Sequence, residues 1–267
     1  MTVTVAATPP TVSATILHRK SVTKLEAGQL ADLRRAFREV IALAPSDDRG
    51  YQYFAGWHGV PLGLCRHHEA LFLPWHRQYL YYFELALQRQ VPGVSLAWWD
   101  WTVDREIPPA FDEAEVEGEA NPLLQAPIRV EHARPEWPTE SSRAPGSFPQ
   151  QPELPQPSAY QEAMEAANFN DFNSLITGVH DEVHMWVMGT MSDPSWAAYD
   201  PIFWAHHTMI DRAWALWQAA HPGANPPSNL LGTKLQPNGM TVSETLDVNQ
   251  LGYDYAGTTD HVPGTNA

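Results

Sequence analysis

The chain has 267 residues, 43% of them apolar, with eleven tryptophans and a formal net charge of −15. That length and apolar share build one large packed core and exclude a disordered chain, while the acidic balance argues against nucleic acid and anionic membrane surfaces as partners. The single cysteine, Cys65, excludes an intramolecular disulfide framework, and no apolar run reaches the length of a transmembrane helix.

Residues 1–15 carry neither a basic leader nor a continuous apolar core, so they are expected to be a disordered N-terminal segment rather than a signal peptide. A cytoplasmic protein is the default expectation, with export alongside a partner as the alternative. Residues 16–267 are read as a single catalytic-sized domain. Ile16–Val22 is expected to be a short strand or extended lead-in. Leu30, Leu33, Phe37, Val40 and Ile41 fall on one stripe and predict an amphipathic helix over Glu26–Leu43, stopped before Pro45. The aromatic run 51–58 predicts a second short helix, and 59–66 a loop. Pro74 suits the first turn of a helix running to about Gln90, which Val91-Pro92-Gly93 ends.

From 105 to 157 prolines and acids replace periodicity, predicting a long irregular acidic excursion of the kind that rims sites in compact folds. A helix capped by Ser158 is expected over Ser158–Ala167, with further helices at about 177–188 and 203–220. A strand is expected at Glu244–Val248. The pattern fits a mainly α fold, a helical bundle with minor strands.

Histidines concentrate in two stretches. His180 and His184 stand four apart, so on a helix both imidazoles leave one face. Alone, that pair is a weak signal, read as a surface pair more readily than as half of a zinc site. It is not the zinc-protease motif, because Asp181 occupies the place of the glutamate. His206 and His207 follow on another predicted helix, and His58, His67, His68 and His76 lie in the earlier stretch around Cys65. So many imidazoles among aromatics are costly to bury without a partner. Imidazole ligation without carboxylate suits copper, zinc, iron or nickel and argues against magnesium and calcium.

The stretch LCRHHEALFLPWHRQYLYYFE resembles the copper A signature of the type 3 dicopper family, which comprises tyrosinases, catechol oxidases (polyphenol oxidases) and molluscan haemocyanin units. DPIFWAHHTMID resembles its copper B signature, and Tyr253-x-Tyr255 the tyrosine motif closing its central domain. The resemblance extends over about residues 16–255 and implies a four-helix bundle core holding two copper ions. His58, His67 and His76 are thereby expected on copper A, and His180, His184 and His207 on copper B. His68 and His206 are then supporting or packing residues, and Glu84, Asp211 and Arg77 orient ligands. Cys65-Arg66-His67 matches the Cys-x-His of members in which sulfur bonds covalently to the ligand imidazole, so a Cys65–His67 thioether is expected.

The function implied is oxidation of o-diphenols, and of o-aminophenols, to o-quinones with dioxygen. Asp181 fills the family's water-positioning place after the first copper B histidine. FNDFNSLITG offers Asp171 and Asn173 but no glutamate, which counts against ortho-hydroxylation of monophenols. Met185 and Pro194 are candidate substrate-positioning residues. Dioxygen and a small phenol are the expected partners, together with a copper chaperone or caddie protein for loading. No family-type shielding domain follows the tyrosine motif, so an open site is expected. A haemocyanin-like dioxygen carrier with the same ligands is the rival reading, and a zinc-loaded or metal-free structural protein a third.

Overall fold

The computed structural model describes residues 16–255; the expectation of a disordered 1–15 lies outside them. The elements in order are β1 (Leu17–His18), β2 (Lys20–Ser21), α1 (Ala27–Ala42), α2 (Tyr51–His58), α3 (Phe72–Gln90), β3 (Ala97–Trp98), α4 (Pro109–Asp112), β4 (Glu115–Val116), β5 (Glu119–Ala120), α5 (Pro157–Met164), α6 (Phe169–Val187), α7 (Pro201–Ala220) and β6 (Tyr253–Asp254). The fold is mainly helical, as expected. Helices α2, α3, α6 and α7 surround the histidines, α1 packs on α3, and α5 packs on α6.

The strands act as clips. β1 pairs in parallel with β6, setting Leu17 against Tyr253, and β2 pairs in parallel with β3, setting Lys20 against Ala97. The extended lead-in is therefore spent on fastening the first described residues to distant parts of the chain. β4 and β5 form a small hairpin.

Aromatic packing fills the interior. Trp204 of α7 stacks on Phe83 of α3 with ring centroids 3.6 Å apart, and Tyr51, Tyr79, Phe37 and Trp57 close around them. Such offset and edge-on pairs add about 0.5–1.5 kcal/mol each beyond their area. This wall fixes the spacing of α2, α3 and α7.

Three local expectations are corrected. α5 starts at Pro157, so its cap is Gln156 without a side-chain bond; Ser158 is already inside the first turn. Helix α6 begins at Phe169, eight residues before the predicted 177, because the Asn168 side chain accepts from the Asp171 backbone N–H and caps it. Glu244–Val248 is not a strand: Val242–Thr245 is a 3-10 turn closed by a Thr241–Glu244 capping box.

The 105–157 excursion is irregular, apart from α4 and the hairpin, but it is not merely solvated. Leu123, Ala126, Ile128 and Leu154 are buried. Arg143 ties it down, bonding the Asp200 carboxylate at 2.9 Å through Nε and donating to the Phe111 and Leu123 carbonyls at 2.6 and 3.0 Å. Asp200 also accepts from the Ile202 N–H and so caps α7, the helix that carries His207.

Candidate metal centre

Each expected ligand is delivered by the bundle. His58 ends α2, His76 lies in the first turns of α3, His180 and His184 share one face of α6, and His207 lies in α7. His67 comes from the loop between α2 and α3. The fold brings all six imidazoles together: the His76 and His207 rings stack at 4.5 Å, and the His67 and His180 rings lie 5.4 Å apart.

Five of the six rings have their Nδ1 atoms occupied. Nδ1 of His58 donates to the Pro194 carbonyl at 3.1 Å, that of His76 to Phe72 at 2.8 Å, and that of His184 to Met191 at 2.7 Å. His180 Nδ1 lies 2.9 Å from an Asp181 carboxylate oxygen, and His67 Nδ1 lies 3.8 Å from the Cys65 sulfur. A proton engaged at Nδ1 leaves a lone pair at Nε2, and the Nε2 atoms converge. His58 and His67 meet at 3.3 Å, His180 and His207 at 3.2 Å, and His184 and His207 at 3.3 Å. The Nε2 of His76 is buried without a hydrogen-bond partner. Facing lone pairs repel unless a cation lies between them, so this donor set fits metal ions.

Burial, reinforced by the neighbouring imidazoles, pushes the pKa values of His58, His76, His180 and His207 well down. Burial lowers His67 to about 4 and His184 to about 3. Neutral imidazole is the ligating form.

The spatial grouping is finer than two separate triads. Ring nitrogens of His180, His184, His206 and His207 lie within 4.8 Å of one another, and so do those of His58, His76 and His207. His206 is thus placed among the candidate ligands, which sequence spacing alone did not do. Its Nδ1, however, accepts the indole N–H of Trp101 at 3.2 Å. Indole only donates, so neutral His206 carries its proton on Nε2 and offers no lone pair there.

Beyond the imidazoles, a buried charge network joins α3 to α7. Arg77 donates to Asp211 at 2.5 Å and lies over the Trp214 ring. The other Asp211 oxygen accepts from Tyr253, Tyr255 and Arg19, and Arg19 donates to Glu84 at 2.9 Å. Burial works to raise the Asp211 pKa, and Arg77 and Arg19 outweigh it, holding the carboxyl below its ordinary value. Arg77, Glu84 and Asp211, expected to orient ligands, instead brace α3 against α7: their hydrogen bonds run to one another, to Arg19 and to the tyrosines rather than to a histidine ring. Arg19 was missed, since nothing local marks an arginine whose partners lie 65 and 192 residues away.

The remaining predicted residues lie around the cluster. Met185 is half-buried beside His184, and Pro194 is exposed, its carbonyl holding His58. Asp171 is exposed and bonded to Asn168, facing no histidine. Asn173 is buried and donates to the Glu69 carbonyl at 3.1 Å, joining α6 to the His67 loop. His68 is exposed rather than packed. A cavity of about 240 Å³, lined by His58, Leu62, Cys65 and Pro194, borders the cluster.

Among the described residues no helix is long and apolar enough to cross a membrane. Residues 48–220 match the family model described as the common central domain of tyrosinase. "Hemocyanin A-type, units Ode to Odg" of Enteroctopus dofleini is 29% identical over 89% of this chain, which spans only 21% of that relative's length. A solved functional unit of octopus haemocyanin superposes with a TM-score of 0.74 at 29% identity, covering 90% of this chain and 68% of that one. A tyrosinase from Burkholderia thailandensis superposes with a TM-score of 0.77 at 25% identity, covering 93% and 75%. The family binds two copper ions and includes both enzymes and dioxygen carriers. With the family model over most of its length and the imidazole cluster in place, the chain belongs to the tyrosinase family of type 3 copper proteins.

Proposed function

We propose that the chain is a polyphenol oxidase that couples oxidation of o-diphenols to o-quinones, or of o-aminophenols to o-quinone imines, to reduction of dioxygen to water. His58, His67 and His76 would hold one copper ion, and His180, His184 and His207 the second. Copper, when bound, supplies the redox capacity that passes electrons from diphenol to dioxygen. The protein's own part is to hold neutral imidazoles rigidly and to admit a flat substrate. The carbonyls of Pro194, Phe72 and Met191 and the carboxylate of Asp181 fix ring orientation, which tunes ligand basicity. A Cys65–His67 thioether would lock the remaining loop ligand.

The observation that carries the oxidase reading is access. Five of the six rings are enclosed, His67 is only partly covered, and the bordering cavity is large enough for a single aromatic ring. Monophenol hydroxylation is the weaker activity in this reading, because Asp171 faces no histidine and Asp181 is already committed to His180. The rival reading is a haemocyanin-like dioxygen carrier, favoured by the identity to octopus haemocyanin. Oxygen uptake by copper-loaded protein with tert-butylcatechol and with tyramine tests both. Uptake with the catechol supports the oxidase, and uptake with tyramine adds ortho-hydroxylation. Reversible dioxygen binding without turnover of either assigns the carrier.

A further inference from the structure

The rim beside His67 is asymmetric in charge. His68 follows His67 in a left-handed backbone conformation, φ +56°, and this turns its ring away from the cluster. The ring, 71% exposed, reaches across to α6, with Nε2 3.4 Å from an oxygen of Asp181. The other Asp181 oxygen holds His180, so one carboxylate spans from the cluster to solvent, 40% exposed. Glu182, next to Asp181, is exposed, and Glu69, next to His68, is exposed on the same loop. Against these three acids the adjoining loop offers one permanent cation, Arg66, already 3.9 Å from Glu69.

Resting on the oxidase reading above, we propose that this rim selects diphenols whose ring substituent ends in a protonated amine over those ending in a carboxylate. The solvent-facing oxygen of Asp181 receives the ammonium, which displaces the His68 ring. A carboxylate at the same place meets Asp181, Glu182 and Glu69, and the one cation of this stretch, Arg66, already lies beside Glu69. The aromatic ring then lies toward the imidazoles, its substituent outward. His68 and Asp181 are positioning residues for the substituent rather than groups that touch the reacting oxygens.

The test compares dopamine, dihydroxyphenylacetate and the neutral reference methylcatechol on copper-loaded protein. The ratio of kcat/KM for dopamine to that for dihydroxyphenylacetate should be about threefold to tenfold, the size expected of exposed charge pairs, and should shrink toward one in molar salt. His68→Gly, which suits the left-handed backbone, should raise the ratio by freeing the Asp181 oxygen, while Asp181→Asn should abolish it. Because Asp181 also holds His180, copper content is measured for each variant. Dissociation constants of the two ligands, measured by NMR on copper(I)-loaded protein under nitrogen, give the same comparison without turnover. Methylcatechol left unoxidised would sink the oxidase reading alone, since the binding comparison still decides the charge preference. Equal or tighter binding of the carboxylate by the wild-type protein would overturn the proposal.

Discussion

Trp101 donates its indole N–H to Nδ1 of His206, 3.2 Å away, and so decides which of two adjacent histidines can bind metal. His206 is fully buried and its ring stacks on His180 at 5.1 Å. It therefore shapes the pocket wall without offering a lone pair at Nε2.

His207→Ala is expected to bind one copper per chain instead of two and to lose diphenol oxidation. His206→Ala should keep both ions, with the second bound about tenfold more weakly, the usual penalty for removing a residue that orients a ligand. Metal analysis after dialysis against graded chelator separates the two. Equal copper loss in both variants would reverse the assignment.

Gly59 sits where the end of α2 meets the 194–195 turn, and a Cβ there would lie 2.1 Å from the Ser195 carbonyl oxygen. Gly59→Ala must push apart the two segments that hold His58. The expected cost is about 1–3 kcal/mol, as for other overpacked sites, or a fall in Tm of roughly 2–12 °C. Gly178, on α6 with open space around its missing side chain, gives the opposite sign: Gly178→Ala should stabilise by about 0.5–1 kcal/mol. Calorimetry on both variants checks the pair.

Acid should destabilise the copper-free protein before it affects the copper-loaded one. His67 and His184 fall from an ordinary 6.5 to about 4 and about 3 on folding. The unfolded chain therefore takes up protons first as pH drops. Stability is full above 6.5 and is lost progressively toward the lowered values. Asp211, also lowered, contributes stability above its ordinary 3.8 that disappears further into acid. Urea midpoints of copper-free protein should thus fall steadily with acidification, and bound copper should move the loss to lower pH. A copper-free midpoint flat across this window would contradict the buried-neutral histidines.

The Cys65 sulfur lies 3.8 Å from His67 Nδ1, and burial raises its thiol pKa. A thioether would join the Cys65 sulfur to a ring carbon of His67 with loss of the S–H and C–H hydrogens, the two electrons going to dioxygen, with bound copper supplying the redox capacity. Intact-mass measurement of copper-loaded protein should show that loss, and a thiol reagent should fail to label Cys65 after denaturation. Full labelling would show a free thiol.

The helices that carry histidines were largely legible, because apolar periodicity marks α1, α2, α3 and α7 and two long motifs carry their ligands. Helix α6 was only half visible: Asn168, Asp171, Asn173 and Gly178 look like turn formers until the Asn168 cap and the buried Phe169, Phe172 and Ile176 are seen together. The strand expected at Glu244–Val248 does not form because Glu244 and Thr245 complete a 3-10 turn over Val242–Thr245 that Glu244 itself closes onto Thr241. The roles of Trp101, Arg19 and the Pro194, Phe72 and Met191 carbonyls were not legible at all. Backbone acceptors have no sequence signature, and the Trp101 and Arg19 contacts join positions more than 60 residues apart.

The pairing of Leu17 with Tyr253, and of Arg19 with Asp211 beneath Tyr253 and Tyr255, also sets an order of assembly. Each closes a loop of nearly the whole described chain, the kind of contact that slows folding. During synthesis His58 through His207 emerge well before the tyrosines that satisfy Asp211. A nascent chain at that stage has its imidazoles but not the fastening beneath α7. The bracing of α7 from beneath is therefore complete only when β6, at the end of the described chain, has been added.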